Sequence, residues 1–303
     1  MDEALLTAFQ HGERLALARL LTLAARGRAD EFLTRLPLSP KTSRVVAFTG
    51  SVGVGKSTLV GKLVEQVRSR GQTVAVLACD PQSPLTGGAL LGDRFRMPAR
   101  PDDDGAFIRS LAAAPRQGAV AEHLPAMVRL LEAFGFEVVL IETVGAGQGD
   151  TAARALSDVL ILLLQPETGD DLQWEKAGVL EVADVVVIHK ADLPGADNAV
   201  AQVRAALDLA GGSSVPVVKV STKTGEGVVA LWDAIAKVPA RLRTFRDDGG
   251  ELVRLAQAEI ARRYQRTRTD PRIGELLDFW RQGALDSSSA SSALLRLLSE
   301  REE

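Results

Sequence analysis

Between residue 44 and about residue 240, short apolar runs alternate with longer amphipathic stretches. The runs are Arg44–Thr49, Thr73–Cys79, Phe107–Leu111, Glu137–Thr143, Asp158–Leu164, Asp184–His189 and Val215–Val220, most of them nearly continuous Val, Ile and Leu. A strand covered on both faces has no polar side, so runs of this kind predict a parallel sheet between helical layers. The stretches between them, such as Leu59–Arg70 and Asn198–Leu209, have the length and spacing of crossover helices. The first forty residues read as helical, with Leu5, Leu6, Phe9, Leu15, Leu17, Leu20 and Leu21 at roughly helical spacing until Pro37 and Pro40 break the pattern. Beyond Pro239 the chain is helical and charged. Leu252, Leu255, Ile260, Leu276, Leu277, Phe279 and Trp280 mark apolar faces there, and a tail with Leu285, Leu294, Leu295, Leu297 and Leu298 follows. Ser287-Ser288-Ser289 falls between the last two helices, where a serine can cap the helix that follows. Three segments are expected: a helical extension over 1–43, an α/β domain over 44–240, and a helical extension over 241–303. The last is too small to form its own core. It must pack on the α/β domain or on a second subunit, and its many leucines favour the second subunit.

Composition narrows the function classes. The 303 residues are 46% hydrophobic and 25% charged, so a full core is available. A net charge of −3 argues against a general nucleic-acid binder, and any phosphate recognition must come from a local site. The single cysteine excludes an intramolecular disulfide framework, and with three scattered histidines it makes a thiolate or imidazole metal cage unexpected. The start, MDEALLTAFQHGER, has acids and no apolar signal core, and no apolar run approaches about 18 residues. The expectation is a cytoplasmic protein with neither nucleic acid nor membrane as partner.

The strongest motif is Gly50-Ser51-Val52-Gly53-Val54-Gly55-Lys56-Ser57-Thr58, a complete G-x-x-x-x-G-K-S/T. It follows a strand-like run and opens an amphipathic helix with Leu59, Leu63, Val64 and Val67 inward, which is the context this phosphate loop requires. Glycines let successive N–H groups curl round a β-phosphate, and the helix N-terminus adds favourable partial charge. Lys56 supplies a cation to the β/γ oxygens, and Ser57 offers a hydroxyl to Mg²⁺. The expected fold is therefore a P-loop NTPase: α/β, with a mostly parallel central sheet flanked by helices and helical extensions at both ends. Acids for the metal lie at or just after strand ends: Asp80, Glu142, and Asp93 in the loop Gly87–Met97. C-terminal strand ends converge on the ligand crevice, so Asp80 and Glu142 should face the phosphates, whereas Asp93 alone could equally be a solvated carboxylate. Glu142-Thr143-Val144-Gly145 has the form of a loop whose acid holds a metal-bound water and whose glycine N–H senses the γ-phosphate.

His189-Lys190-Ala191-Asp192 follows another apolar run. Guanine-binding P-loop proteins carry N-K-x-D here. The Asp accepts from guanine N1–H and N2–H₂, a donor pair adenine lacks, and the lysine stem covers the base face. Asp192 and Lys190 are in place, but the Asn is His189, and an imidazole lacks an amide's paired donor and acceptor. Ser221-Thr222-Lys223, within Val220–Gly227, resembles the S-A-K-type loop that completes a base pocket through backbone N–H groups. Together the two segments favour GTP over ATP.

Longer strings carry a more specific resemblance: Ala78-Cys79-Asp80-Pro81-Gln82-Ser83-Pro84, Thr86-Gly87-Gly88-Ala89-Leu90-Leu91-Gly92-Asp93-Arg94, Phe107-Ile108-Arg109-Ser110, Glu142-Thr143-Val144-Gly145-Ala146-Gly147-Gln148 and Gly169-Asp170-Asp171-Leu172-Gln173. On these the chain resembles the MeaB/ArgK/MMAA family of G3E-type GTPases, which accompany adenosylcobalamin-dependent methylmalonyl-CoA mutase. The resemblance runs from Gly12–Leu21 to Arg281–Leu298. It implies a homodimer built through the C-terminal helices, slow intrinsic GTP hydrolysis, and a metallochaperone role: GTP-gated protection and cofactor loading of the partner mutase. It assigns Mg²⁺ to Ser57, Asp80, Asp93 and Glu142, and makes Gly169–Lys176 a switch with Gln173 and Lys176 as candidate contacts. Three departures stand out. His189 replaces Asn; Ala112–Gly118 replaces a glycine-rich R-G-x-x-G-G; and the switch carries Pro166-Glu167-Thr168-Gly169 and Trp174 where small residues are typical.

The chemistry expected is phosphoryl transfer to water, with Lys56, Glu142 and Gln148 as the catalytic candidates. Gln148 is placed to orient the water, and Arg109 is a cation that a partner could move inward. An ATP-dependent small-molecule or protein kinase of the ArgK type is the rival enzyme, but no base for an acceptor hydroxyl is visible. A nickel-delivery GTPase would need a His- or Cys-rich set, which the chain lacks. A scaffold with a vestigial site predicts that Lys56→Ala leaves partner binding unchanged. The sequence leaves open which cobalamin mutase is served.

Overall fold

The computed structural model describes residues 3–33, 35–36, 43–81, 103–113, 123–144, 150–166, 177–209, 214–240 and 249–299. It divides into two units, Met1–Arg243 and Thr244–Glu303. The first unit opens with α1 (Glu3–Gln10), α2 (Arg14–Ala25) and α3 (Asp30–Leu33), followed by β1 (Arg44–Gly50), α4 (Lys56–Ser69), β2 (Val74–Pro81) and β3 (Ala106–Ala113). It continues with α5 (Leu124–Phe134), β4 (Val138–Glu142), α6 (Asp150–Leu156), β5 (Val159–Leu164), α7 (Ala177–Val182) and β6 (Val185–His189). It closes with α8 (Ala196–Leu209), β7 (Val217–Val220) and α9 (Val228–Lys237).

The strands form one seven-stranded sheet in the order β3-β2-β4-β1-β5-β6-β7, with every pairing parallel. Each apolar run forms a strand because its odd and even positions meet different layers. In β5, Val159, Ile161 and Leu163 face a core shared with Leu59, Leu63 and Val67 of α4 and Leu231 and Ile235 of α9. Leu162 and Leu164 face a second core with Val203 and Leu207 of α8. A one-residue slip would exchange two apolar faces and gain nothing, so register is set by the strand ends. Asp158 accepts the Val45 N–H at 2.8 Å, and Asp184 accepts the Leu160 N–H at 2.9 Å while pairing with Arg154 at 3.1 Å. The edge strands depart from full burial: in β7, Val217 and Val218 are half-buried and Lys219 is exposed, because one flank has no neighbour.

The N-terminal helices pack on this unit. Leu17, Leu20 and Leu21 of α2 are completely buried, the Phe9 ring lies 5.3 Å from that of Phe134 on α5, and Arg14 donates to the Asp103 carbonyl at 3.2 Å. Arg109 is on β3, the edge strand furthest from β7, and donates to Thr22 Oγ1 on α2 at 3.0 Å.

The second unit holds α10 (Gly249–Thr267), α11 (Pro271–Arg281) and α12 (Ser287–Ser299). Asp270 caps α11, accepting the Arg272 N–H at 3.0 Å, with Pro271 as the first helical residue. The serine cap expected at Ser287–Ser289 is corrected. Those serines lie inside α12, and Asp286 caps it, accepting the N–H groups of Ser288 and Ser289 at 2.9 Å. A carboxylate wins that position because it also meets the positive helix end. Among the described residues of this unit the buried apolar side chains are Ile273, Ala290 and Leu298, while Val253, Ile260, Phe279, Trp280 and Leu295 are exposed.

Candidate functional site

β1 is the central strand, and the chain leaving its C-terminal end makes the phosphate loop. Gly50 turns at φ 148°, where a Cβ would lie 2.5 Å from the Leu163 carbonyl oxygen of β5, so only glycine fits. The loop reaches α4 through Gly55 at φ 102°. Lys56 and Ser57 begin that helix, and both are largely buried. The Lys56 ammonium is folded back across the loop, donating to the carbonyls of Gly50 at 3.0 Å and Ser51 at 3.2 Å. It is thereby parked at the mouth of an anion-binding curve of N–H groups.

Two of the acids expected at a metal, Glu142 and Asp80, lie on β4 and β2. Glu142 ends β4, in register with Phe48 of β1, and its Oε1 accepts the Ser57 hydroxyl at 2.6 Å. The Thr143 amide and hydroxyl both donate to the Phe48 carbonyl at 3.1 Å, fixing the chain as it leaves β4. A buried hydroxyl meeting a buried carboxylate is a hard-oxygen pair of the kind Mg²⁺ prefers, so the residues fit that ion. Among the described residues no group of three or more His, Cys, Asp or Glu converges. Asp80 lies two residues beyond Ala78, the β2 partner of Glu142, at the same end of the sheet. Asp93, Gly145, Gln148, the switch segment 169–176 and positions 114–118 lie outside the described residues.

The base-site residues are brought together by the pairing of β6 with β7, which sets His189 beside Val220. The Ala191 N–H donates to the Val220 carbonyl at 3.1 Å, splicing the segment 190–192 onto the end of β7. Asp192 Oδ1 accepts the hydroxyl of fully buried Ser221 at 2.7 Å, and the exposed Lys223 ammonium lies 3.9 Å from Oδ2. The Ser221 hydroxyl holds the Asp192 carboxyl below its ordinary range against a weaker opposing desolvation. The carboxylate is thus ionised and aimed, as recognition of paired N–H donors requires. Lys190 sits at φ 55° and donates to Gln165 Oε1 at 2.7 Å. That left-handed backbone is uncommon for a lysine, and it persists because the side chain is tied to the end of β5.

Gln165 is the residue that the sequence reading does not single out. It follows a continuous apolar run, the same strand-end signal that singled out Glu142. His189, which stands where N-K-x-D has asparagine, is buried, with Nδ1 at 2.7 Å from the Val54 carbonyl and Nε2 at 3.2 Å from Thr222 Oγ1. Burial pushes its pKa below the usual imidazole value, and nearby Lys190 acts in the same direction.

A complete phosphate loop on the central strand, an acid on its serine and an aspartate-bearing base loop define a P-loop nucleotide-binding protein. The family model described as methylmalonyl Co-A mutase-associated GTPase MeaB matches residues 17–267. The chain belongs to the MeaB family; it is a GTPase and binds guanine nucleotide. A protein of Pyrococcus abyssi named as a GTPase is 40% identical over 243 residues, covering 78% of this chain and 75% of its own. The mouse methylmalonic aciduria type A homolog, mitochondrial, is 35% identical over 232 residues, 74% of this chain and 56% of its own. Escherichia coli GTPase ArgK is 38% identical over 190 residues, 60% of this chain and 57% of its own. Among solved structures, a LAO/AO transport system kinase superposes with a TM-score of 0.66 at 22% identity, covering 98% of this chain and 99% of its own. HypB from Archaeoglobus fulgidus gives 0.51 at 21% identity over 72% and 98%. These two likenesses speak for the fold alone. Among the described residues no helix is long and apolar enough to cross a membrane.

Proposed function

We propose that this chain is a GTP-gated chaperone of an adenosylcobalamin-dependent mutase of the methylmalonyl-CoA type, protecting it and gating its cofactor loading. The observation that carries the nucleotide chemistry is the 2.6 Å bond from Ser57 to Glu142, which joins the phosphate loop to the strand leading toward Gly145 and Gln148. In this reading the N–H groups of residues 50–58 hold the β-phosphate, and Lys56 leaves the loop carbonyls to meet the β/γ oxygens. Ser57 and Glu142, with Asp80 and Asp93, would hold Mg²⁺, whose charge would offset that of the phosphates. Gly145 senses the γ-phosphate and Gln148 orients water. Lys190, Asp192, Ser221, Thr222 and Lys223 form the guanine pocket. Hydrolysis by the chain alone is slow, since a missing stabiliser of the transition state commonly costs ~10³–10⁵ in rate.

The partner assignment is supported by the family description and by the printed name of the mouse relative. A homodimer through α10–α12 is part of the same reading, and Phe279, Trp280 and Leu295 are exposed on those helices. Cytoplasmic residence is part of the same reading. The deciding experiment is co-purification with candidate cobalamin mutases in GDP and in a non-hydrolysable GTP analogue. Nucleotide-dependent retention of one mutase is expected; equal retention in both states, or none with any mutase, removes the chaperone role. Competition of ATP against bound GDP separates the guanine pocket from the ATP-dependent kinase reading, which requires ATP to win.

A further inference from the structure

His189 and Thr222 each depart from the simplest form of a guanine pocket, and the two departures meet. Thr222 stands where the S-A-K-type loop has alanine, and its hydroxyl oxygen is 3.2 Å from the His189 ring. A third feature accommodates them: a Cβ at Gly55 would lie 2.4 Å from His189 Cε1, so the imidazole occupies space that a side chain at position 55 would need. The polarity of the contacts is fixed. A carbonyl can only accept, so Nδ1, 2.7 Å from the Val54 oxygen, carries the hydrogen. In the neutral ring Nε2 is then a bare acceptor, and the Thr222 hydroxyl donates to it.

We propose that His189 and Thr222 form one brace that ties the phosphate loop at Val54 to the base loop at Thr222, making the two halves of the guanine-nucleotide site a single rigid receptor. The brace rests on the reading of Lys190–Asp192 as the base pocket. His189 acts as a positioning residue through Val54 and Thr222. A ligand spanning both loops gains from having them pre-set relative to each other, because it need not order them on binding. A ligand held by one loop gains nothing. GDP spans both; pyrophosphate and guanosine each occupy one.

The experiment is a set of titrations of GDP, pyrophosphate and guanosine against the whole chain and three variants: Thr222→Val, which keeps the side-chain shape, His189→Phe, which keeps a ring without its nitrogens, and the two combined. Thr222→Val keeps the backbone N–H through which this loop would meet the base, so it is expected to weaken GDP by roughly tenfold, the scale of one hydrogen bond, and pyrophosphate and guanosine by clearly less. In the His189→Phe background Thr222→Val is expected to cost nothing further, since a ring without nitrogen has no acceptor for the hydroxyl that it removes. Nitrogen NMR of the wild-type ring is expected to show the neutral form protonated at Nδ1. Unchanged GDP affinity in Thr222→Val, equal losses for all three ligands, or a ring protonated at Nε2 would each overturn the brace. Wild-type binding of pyrophosphate without GDP would instead overturn the guanine-pocket reading and take the brace's purpose with it.

Discussion

The phosphate end of the crevice is one continuous segment, residues 50–58, whereas the base end is assembled from the ends of β5, β6 and β7 through Gln165, His189–Asp192 and Ser221–Lys223. At the phosphate end the proposed binding groups are mainly backbone N–H groups, so the demands fall on φ angles and on space, and substitutions such as Gly50→Ala meet backbone atoms at once. At the base end the groups are side chains holding one another: Ser221 aims Asp192, Gln165 anchors Lys190, and Thr222 meets His189. A network of that kind can exchange an amide for an imidazole if a neighbour changes with it. Backbone geometry offers no such trade.

That contrast can be broken in order of effect. Lys56→Ala should cost the most, at least ~10²–10³ in single-turnover GTP hydrolysis, because no other described cation sits over the loop carbonyls; near-normal turnover would move catalysis away from this lysine. Asp192→Asn should weaken GDP by ~10–100-fold in a binding titration, the range for a charged hydrogen bond, and improve binding of xanthosine diphosphate, whose C2 oxygen can accept from the new amide. Unchanged preference for guanine would place the base elsewhere.

Gly55→Ala probes the joint between the two ends. Its φ of 102° and the 2.4 Å approach to the imidazole predict a loss of ~1–3 kcal/mol in chemical denaturation. His189→Asn in the same background should return part of it by freeing the space.

The smallest effect is in the pH dependence of stability. Burial lowers the His189 pKa in the fold, and Lys190 adds to this while the Val54 carbonyl and Asp192 oppose it. The unfolded chain therefore takes up the proton first as pH falls below 6.5, so this contribution is fully present above 6.5, declines through the window beneath it, and is lost once the folded-state pKa is passed. Thermal melts of wild type and His189→Asn should diverge in that window, and parallel curves would show that the ring is not buried as described.

What was legible in the chain followed from local rules. The seven runs became seven strands, the inner five because a doubly covered strand must be apolar throughout, and the motif at residues 50–58 reads directly because its function lies in its own backbone. The cap of α12 is Asp286 and not a serine, and the sequence does not separate them because both satisfy the same N–H groups and only the fold fixes which residue precedes the first turn. Gln165 and Thr222 were unreadable as a network for a different reason. Their partners lie 25 and 33 residues away, and no periodicity encodes which strand ends become neighbours.

The sequence by itself determined the parallel sheet, the phosphate loop and the membership of the GTPase class, since burial on both faces and a glycine-rich turn into a helix are properties of contiguous residues. Only the tertiary structure decided that β4 lies beside β1 and delivers Glu142 to Ser57, and that His189 reaches both Val54 and Thr222. Strand order is set by how whole layers pack. A hydrogen bond between two loops exists only after that packing has brought them within reach.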